Sequence, residues 1–168
     1  EVIKSMGQTA CAITDHGVMY GVIDFYRACK AAGIKPIIGC EVYVAPQGRT
    51  RFDKVHEFDS ESRHLVLLCE NEEGYRNLSY MVAWTEGFYI KPRIDQGLLR
   101  EHSKGLIALS ACLAGEIPRR LRNGEYENAK AYALEMAELF GPEHFYLELQ
   151  DHGIRDQKLV NQSILKIH

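Results

Sequence analysis

The sequence lacks the features of a membrane protein and of an autonomous nucleic-acid-binding domain. Among its 168 residues, no apolar stretch approaches the roughly 20 residues that a membrane-spanning helix needs, and no signal peptide is visible. The formal net charge is −3, so the basic excess of a free-standing nucleic-acid binder is missing. We therefore expect a cytoplasmic protein with no membrane partner.

Paired cysteines are also missing. Five cysteines occur, which is an odd number, and none belongs to a C-x-x-C pair. Most lie inside apolar runs, as buried thiols of a protein from a reducing compartment usually do. The cysteine pattern therefore argues against a secreted, disulfide-stabilised domain.

Glycine-rich phosphate loops are absent as well. Gly17 and Gly21 flank three residues, Val18 to Tyr20, and this spacing does not match the G-x-G-x-x-G pattern of dinucleotide-binding folds. No P-loop pattern occurs either. The two commonest sequence signatures of nucleotide-binding α/β proteins are therefore excluded.

Short apolar runs alternate about five times with segments of helical periodicity, which indicates an α/β fold. The runs are continuous rather than alternating, so we expect parallel strands that are buried on both faces. A (β/α) barrel and an open doubly wound sheet both fit this count. The predicted strands are 9–14, 36–44, 63–69, 105–111 and 144–150; the predicted helices are 19–32, 72–85, 124–140 and one from about 156; a polar loop spans 45–62 and an irregular stretch 86–104.

Residues that can bind a metal lie at or near the ends of four predicted strands. His16 follows the first strand, Glu41 lies in the second, His64 opens the third and Cys112 closes the fourth. Such groups on several strands favour the barrel, because α/β barrels build their sites at one face. A His/Glu/Cys set suits Zn²⁺, Mn²⁺ or Fe²⁺ better than Ca²⁺. Metal-dependent phosphoester chemistry is therefore the leading hypothesis.

Each of these residues also has an ordinary structural explanation. Asp15 could cap the following helix and leave His16 without a role, or it could hydrogen-bond a metal-bound histidine. Glu41 could face solvent on an edge strand. His64 could be a hydrogen-bonded histidine at a strand start, and Cys112 an inert buried thiol. The metal hypothesis rests on the joint occurrence of the four residues.

Five segments resemble the PHP (polymerase and histidinol phosphatase) domain family and together cover essentially the whole chain. The TDHG string at 14–17 is common to the family. GFYIKPRID at 87–95 and LSACLAGEIPR at 109–119 resemble the branch found in the alpha subunit of bacterial replicative DNA polymerase III. The matching segments are residues 12–46, 63–82, 85–95, 105–119 and 145–153.

The resemblance implies a distorted, TIM-like (β/α)7 barrel that holds up to three divalent metal ions, of Zn, Mn or Fe. His16, Glu41, His64 and Cys112 fall on family ligand positions, and Asp15 is expected to hydrogen-bond a ligand rather than bind metal. The family arrangement implies that Glu41 bridges two metals, that His64 and Cys112 share one of them, and that His16 serves the third. His152 matches no family ligand position.

The resemblance also implies that residues 1–168 are a single, partial PHP domain, cut at both ends. The opening His-x-His strand and the closing Asp-x-His strand of the family would lie outside it.

The implied parent is a DNA-directed DNA polymerase, whose partners are DNA, its own remaining domains and other replisome subunits. Within it, this domain would supply 3′→5′ exonuclease or other phosphoesterase chemistry, or structural support, and the isolated fragment would be inactive. Two alternatives stay open, namely a free-standing PHP phosphatase and a non-catalytic PHP scaffold.

Overall fold

A computed structural model describes residues 2–52, 62–83 and 93–167. Within these ranges the chain forms five strands and seven helices. The strands are β1 (Ala10–Ile13), β2 (Lys35–Val44), β3 (Arg63–Cys69), β4 (Leu106–Leu109) and β5 (Phe145–Tyr146). The helices are α1 (Val2–Ser5), α2 (Val22–Ala32), α3 (Glu72–Ala83), α4 (Gln96–Glu101), α5 (Glu116–Arg122), α6 (Tyr126–Phe140) and α7 (Arg155–Ile164). Among these helices, none combines the length and the apolar character needed to cross a membrane.

The strands form one mixed sheet in the order β1-β2-β3-β4-β5. β1 pairs with β2 in parallel, and β4 with β5, but β3 is antiparallel to both of its neighbours. The α/β class is confirmed, whereas the expectation that the strands are all parallel is wrong. Three consecutive residues of β3, Leu65 to Leu67, are buried. A strand covered on both faces gives a continuous apolar run whichever way its neighbours run, so the run could not reveal direction.

Most predicted elements occur with small shifts at their ends. β3 has the predicted bounds, but the strand predicted over 144–150 is reduced to two residues. Beyond it, the Glu148 amide donates to the Ser110 hydroxyl instead of to a neighbouring strand. The helices α4 and α5 lie in stretches where no helix was predicted. Residues 53–61 of the predicted loop, and residues 84–92 at the end of the predicted helix 72–85 and in the irregular stretch, fall outside the described residues.

The hydrophobic core lies between the sheet and the helices α3, α4 and α6. Each fully buried aliphatic side chain contributes roughly 1.5–3 kcal/mol to stability relative to an exposed one. The core fixes the strands on which the candidate ligands lie. Its most deeply buried large side chains include Leu67, Leu78, Met81, Ile94, Leu99 and Met136.

A buried aspartate joins α4 to the chain segment that follows β2. Asp95 precedes α4 and accepts a hydrogen bond from the Leu98 amide at 2.9 Å, as an N-cap residue does. It also accepts bonds from the Arg51 amide at 3.0 Å and from Arg51 Nη1 at 2.9 Å. Burial opposes ionisation of Asp95, but these hydrogen bonds and the guanidinium charge outweigh it and lower its pKa.

We expect Asp95→Asn to destabilise α4. Asparagine can still cap the helix, but it carries no charge to form an ion pair with the guanidinium of Arg51. The loss should be about 1.5–3 kcal/mol in the free energy of local opening near neutral pH, as for hydrogen bonds to charged groups. Hydrogen exchange of the α4 amides measures this free energy.

The effect should depend on pH in one direction. The pKa of Asp95 is lower in the folded state, so its contribution is present above its ordinary value of about 3.9 and is lost as the pH falls through the lowered folded value. The difference between the two proteins should therefore shrink below about pH 4. A difference that stays constant down to about pH 2 would contradict this account.

Candidate metal centre

Strand alternation separates the candidate site from the core along β2. Cys40, Val42 and Val44 are at most 3% exposed and pack into the core. Successive side chains on a strand point to opposite faces, so Glu41 and Tyr43 lie on the other side of the sheet. Glu41 pairs with Val66 of β3 on one side and forms a parallel bridge with His16 on the other, and it is therefore not on a sheet edge. The explanation of Glu41 as a solvent-facing edge residue is wrong.

The loop after β1 is fastened to β2 beside Glu41. The Glu41 amide donates to the Asp15 carbonyl oxygen at 3.0 Å, and the Gly17 amide donates to the Glu41 carbonyl oxygen at 2.9 Å. Gly17 has φ +69°, a conformation that favours glycine, and a Cβ there would lie 3.0 Å from the Tyr43 ring, which is closer than most Cβ contacts. This tight connection brings His16 next to Glu41.

Two imidazole rings converge on one carboxylate oxygen. Oε1 of Glu41 lies 3.0 Å from Nδ1 of His16 and 2.6 Å from Nδ1 of His64. His64 reaches this position because the antiparallel register sets it opposite Tyr43, two residues beyond Glu41. One ligand atom from each of the three residues lies within 4.8 Å of the others. Among the described His, Cys, Asp and Glu side chains, this is the group of three that could hold a metal ion.

Cys112 meets the group through His64. It follows β4 by three residues, and its Sγ lies 3.4 Å from Nδ1 of His64. The compact set of three does not include it. The structure thus gathers His16, Glu41 and His64 and places Cys112 against the last of them.

The ionisation states of the group depend on one another. Contact with the His64 ring is the largest cause that lowers the pKa of Glu41, and it outweighs burial. The same ring lowers the pKa of Cys112. In return, Cys112 and Glu41 raise the pKa of His64 to about 9. His64 thus lies between two acidic side chains, Glu41 and Cys112, and this position favours a cation.

The remaining cysteines that the structure brings near the sheet have different surroundings. Cys40 is fully buried, donates to the Asp15 carbonyl oxygen at 3.3 Å, and has a pKa raised to about 12, chiefly by burial. Burial also raises the pKa of Cys69 to about 11. Both remain protonated thiols and are poor metal ligands, since the thiolate is the ligating form.

Asp15 and His152 differ from the clustered residues. The helix α2 starts after Gly21 without a side-chain capping bond, so the interpretation of Asp15 as its cap is wrong. The Asp15 carboxylate lies beside Gly21, where an added Cβ would be 3.2 Å from Oδ2. His152 is exposed and lies outside the cluster.

The chemistry of the donor set fits a divalent transition metal. Oε1 of Glu41 is buried, and in the described part of the chain no group donates it a hydrogen bond of good geometry, although two ring nitrogens are close. Such an oxygen is costly to bury unless a cation compensates it. Imidazole, carboxylate and thiolate together suit Zn²⁺, Mn²⁺ or Fe²⁺.

Tyr43 is a contact residue that the sequence analysis missed. Its ring packs edge-on against His64, with centroids 5.2 Å apart, and limits how that imidazole can turn. Its position two residues after Glu41 on a predicted strand could have indicated that Tyr43 lies at the site, since such residues share a face.

An α/β sheet that gathers histidine and glutamate side chains beside a cysteine defines this chain as a candidate metal-binding domain. Comparison with known families makes the assignment specific. The chain belongs to the PHP domain family, which it matches over residues 1–152. Of the segment 87–95 that resembled one branch of this family, only Arg93, Ile94 and Asp95 lie within the described residues.

Curated relatives share nearly the whole of this chain. It is 46% identical to DNA polymerase III subunit alpha of Treponema pallidum over 167 residues, which are 98% of this chain and 14% of that protein. It is 51% identical to the Chlamydia muridarum subunit over 153 residues, with 89% and 12% covered. For the Thermus aquaticus subunit the identity is 45% over 155 residues, with 91% and 13% covered. The chain thus spans about one eighth of the length of these relatives.

Two histidine variants test the assignment of the cluster. We expect His64→Asn to weaken zinc binding by about 10- to 100-fold, because it removes a ring nitrogen from the centre of the group. The matched change His152→Asn should leave zinc affinity unchanged, since that ring is exposed and outside the cluster. Competition with a chromogenic zinc chelator measures both affinities. Equal affinities for the two variants would show that the cluster is not the zinc site.

Proposed function

We propose that this chain supplies part of a multinuclear metal site for phosphoester hydrolysis, acting as a 3′→5′ exonuclease within a bacterial DNA polymerase III alpha subunit. The observation that carries the proposal is the convergence of His16 and His64 on Oε1 of Glu41, at 3.0 and 2.6 Å. Membership of the PHP domain family and the likeness to polymerase alpha subunits support it.

His16, Glu41, His64 and Cys112 would hold the metal ions. When bound, divalent metal ions would supply Lewis acidity for the attack of water on a phosphodiester. Glu41, 15% exposed, would anchor the site from the sheet, and Tyr43 would hold the His64 ring in its orientation. The His16 side chain is 65% exposed within this chain, so further ligands could reach it from strands added beside β1. Asp15 would act indirectly, through its carbonyl bond to the Glu41 amide.

The complete domain would contain more of the site than this chain does. In the described residues, β1 and β5 are the outer strands of the sheet, and a closed (β/α)7 barrel would require further strands beside them. We propose that these strands carry the family's His-x-His and Asp-x-His motifs and complete the ligand set. The parent protein would be a cytoplasmic DNA-directed DNA polymerase that binds DNA and other replisome subunits.

Glu41→Gln should lower both metal content and exonuclease rate in the full-length parent, by about 10- to 100-fold in affinity or rate. The change keeps the shape of the side chain but removes the negative charge between the two rings. Elemental analysis gives the metal stoichiometry, and release of nucleotides from single-stranded DNA gives the rate.

Asp151→Asn is the matched control, because Asp151 is exposed and its Oδ1 accepts only a local bond from the Gly153 amide among the contacts described. It should keep full metal and rate. A Glu41→Gln variant that keeps its full metal stoichiometry and exonuclease rate would show that the site is misassigned.

An unmutated parent that binds no metal would replace the enzymatic proposal with a scaffold role. A parent of only a few hundred residues would favour a free-standing phosphatase.

A further inference from the structure

Cys112 is carried by a strained turn between β4 and α5. Ala111, directly before it, has φ +60° and is 2% exposed. This left-handed conformation is unfavourable for a residue with a Cβ and persists only where the surrounding structure imposes it. Something beyond the turn itself must therefore hold Cys112 in place.

The turn is closely packed and joined to the start of β3. The Gly115 amide donates to the Cys112 carbonyl oxygen at 2.8 Å, and a Cβ at Gly115 would lie 2.2 Å from the Ser110 carbonyl oxygen. The His64 amide donates to the Ala114 carbonyl oxygen at 3.2 Å. The backbone thus ties the cysteine turn to the residue whose ring contacts Cys112.

A half-buried ion-pair triad reinforces the same junction. Glu116 begins α5, directly after the turn, and uses each carboxylate oxygen for a different arginine. Oε2 accepts from Arg63 Nε and Oε1 from Arg120 Nε, both at 2.7 Å. The three side chains are 10–17% exposed, so removing Glu116 would leave two largely buried guanidinium groups without this partner. Arg63 immediately precedes His64, so this link lies beside the candidate ligand.

Arg120 extends the triad to the rest of the fold. Its Nη1 donates to the Asn128 carbonyl oxygen at 2.9 Å, and its Nη2 donates to Oε1 of Gln47. Glu116 is thereby braced against α6 and against the segment that follows β2. The end of the cysteine turn is thus linked to α6 and to the loop after β2.

We propose that Glu116 is a positioning residue, which through Arg63 and Arg120 holds the strained turn so that the Cys112 thiol stays against His64. The role in metal binding rests on the proposed function. A purely stabilising ion pair would also be lost with Glu116, so the test must report on Cys112 itself. A buried pair of similar burial elsewhere, Asp95 with Arg51, provides the comparison.

The experiment uses the full-length parent protein and the variants Glu116→Gln, Asp95→Asn and Cys112→Ser. Cobalt(II) is the probe, because a cobalt–thiolate bond gives a charge-transfer absorption in the near ultraviolet. We expect Glu116→Gln to lose this absorption and to bind cobalt about 10- to 100-fold more weakly, as Cys112→Ser does. Asp95→Asn should keep it. Adding Ala111→Gly to Glu116→Gln should restore part of it, since glycine removes the strain.

Hydrogen exchange without metal provides a second, independent readout. In Glu116→Gln, the amides of His64 and Gly115 should exchange faster, while in Asp95→Asn they should not. Unchanged exchange and unchanged cobalt–thiolate absorption in Glu116→Gln would overturn the positioning role. Faster exchange in Glu116→Gln, in a parent that binds no metal, would remove the proposed function but keep Glu116 as the residue that places Cys112.

Discussion

Antiparallel pairing of β2 with β3 places Tyr43 opposite His64 and Glu41 opposite Val66, and the candidate site depends on this register. It brings the amino end of one strand beside the carboxyl half of the other, so that a ligand at a strand start can meet one in a strand interior. A slip of one residue would turn Glu41 into the core and Cys40 toward the site. The core side chains Val42 and Val44 oppose such a slip, because they would lose their burial.

Electrostatics explains why the gathered side chains stay together. A carboxylate that is largely removed from water is costly unless a cation or several hydrogen bonds compensate it. Here the nearest groups to Oε1 of Glu41 are two imidazole nitrogens, and the closer ring, that of His64, also meets the Cys112 thiol. The raised pKa of His64 and the lowered pKa values of Glu41 and Cys112 share one cause, which is the interaction of the His64 ring with these two acidic groups. A divalent cation bound at His64 must displace the proton of that ring, so metal and proton compete for the same nitrogen.

The sequence predicted the positions of the helices and strands better than the directions in which the strands run. Apolar runs and helical spacing located β3 and α6 closely, because burial leaves a periodic trace. Strand direction leaves no such trace, and α5 was missed because it spans only seven residues with a proline in its first turn. Three of the four candidate ligands converge as a compact group, with His16 and His64 near strand ends and Glu41 within a strand. Contacts such as Tyr43 with His64, and Glu116 with Arg63, join segments far apart in the chain, so local pattern could not reveal them.

The candidate ligands differ in the exposed fraction of their side chains, and the less exposed ones have more support from packed elements. Glu41 and His64 are 15% and 22% exposed and are held by sheet pairing and by Tyr43, whereas His16 is 65% exposed on a loop. Precise placement of ligands requires support from packed elements. The strained turn at Ala111 lies on the supported side, where Gly115, Glu116 and the start of β3 can hold it. The sheet, Tyr43 and the Glu116 triad therefore support Glu41, His64 and Cys112, whereas His16 depends on the loop after β1.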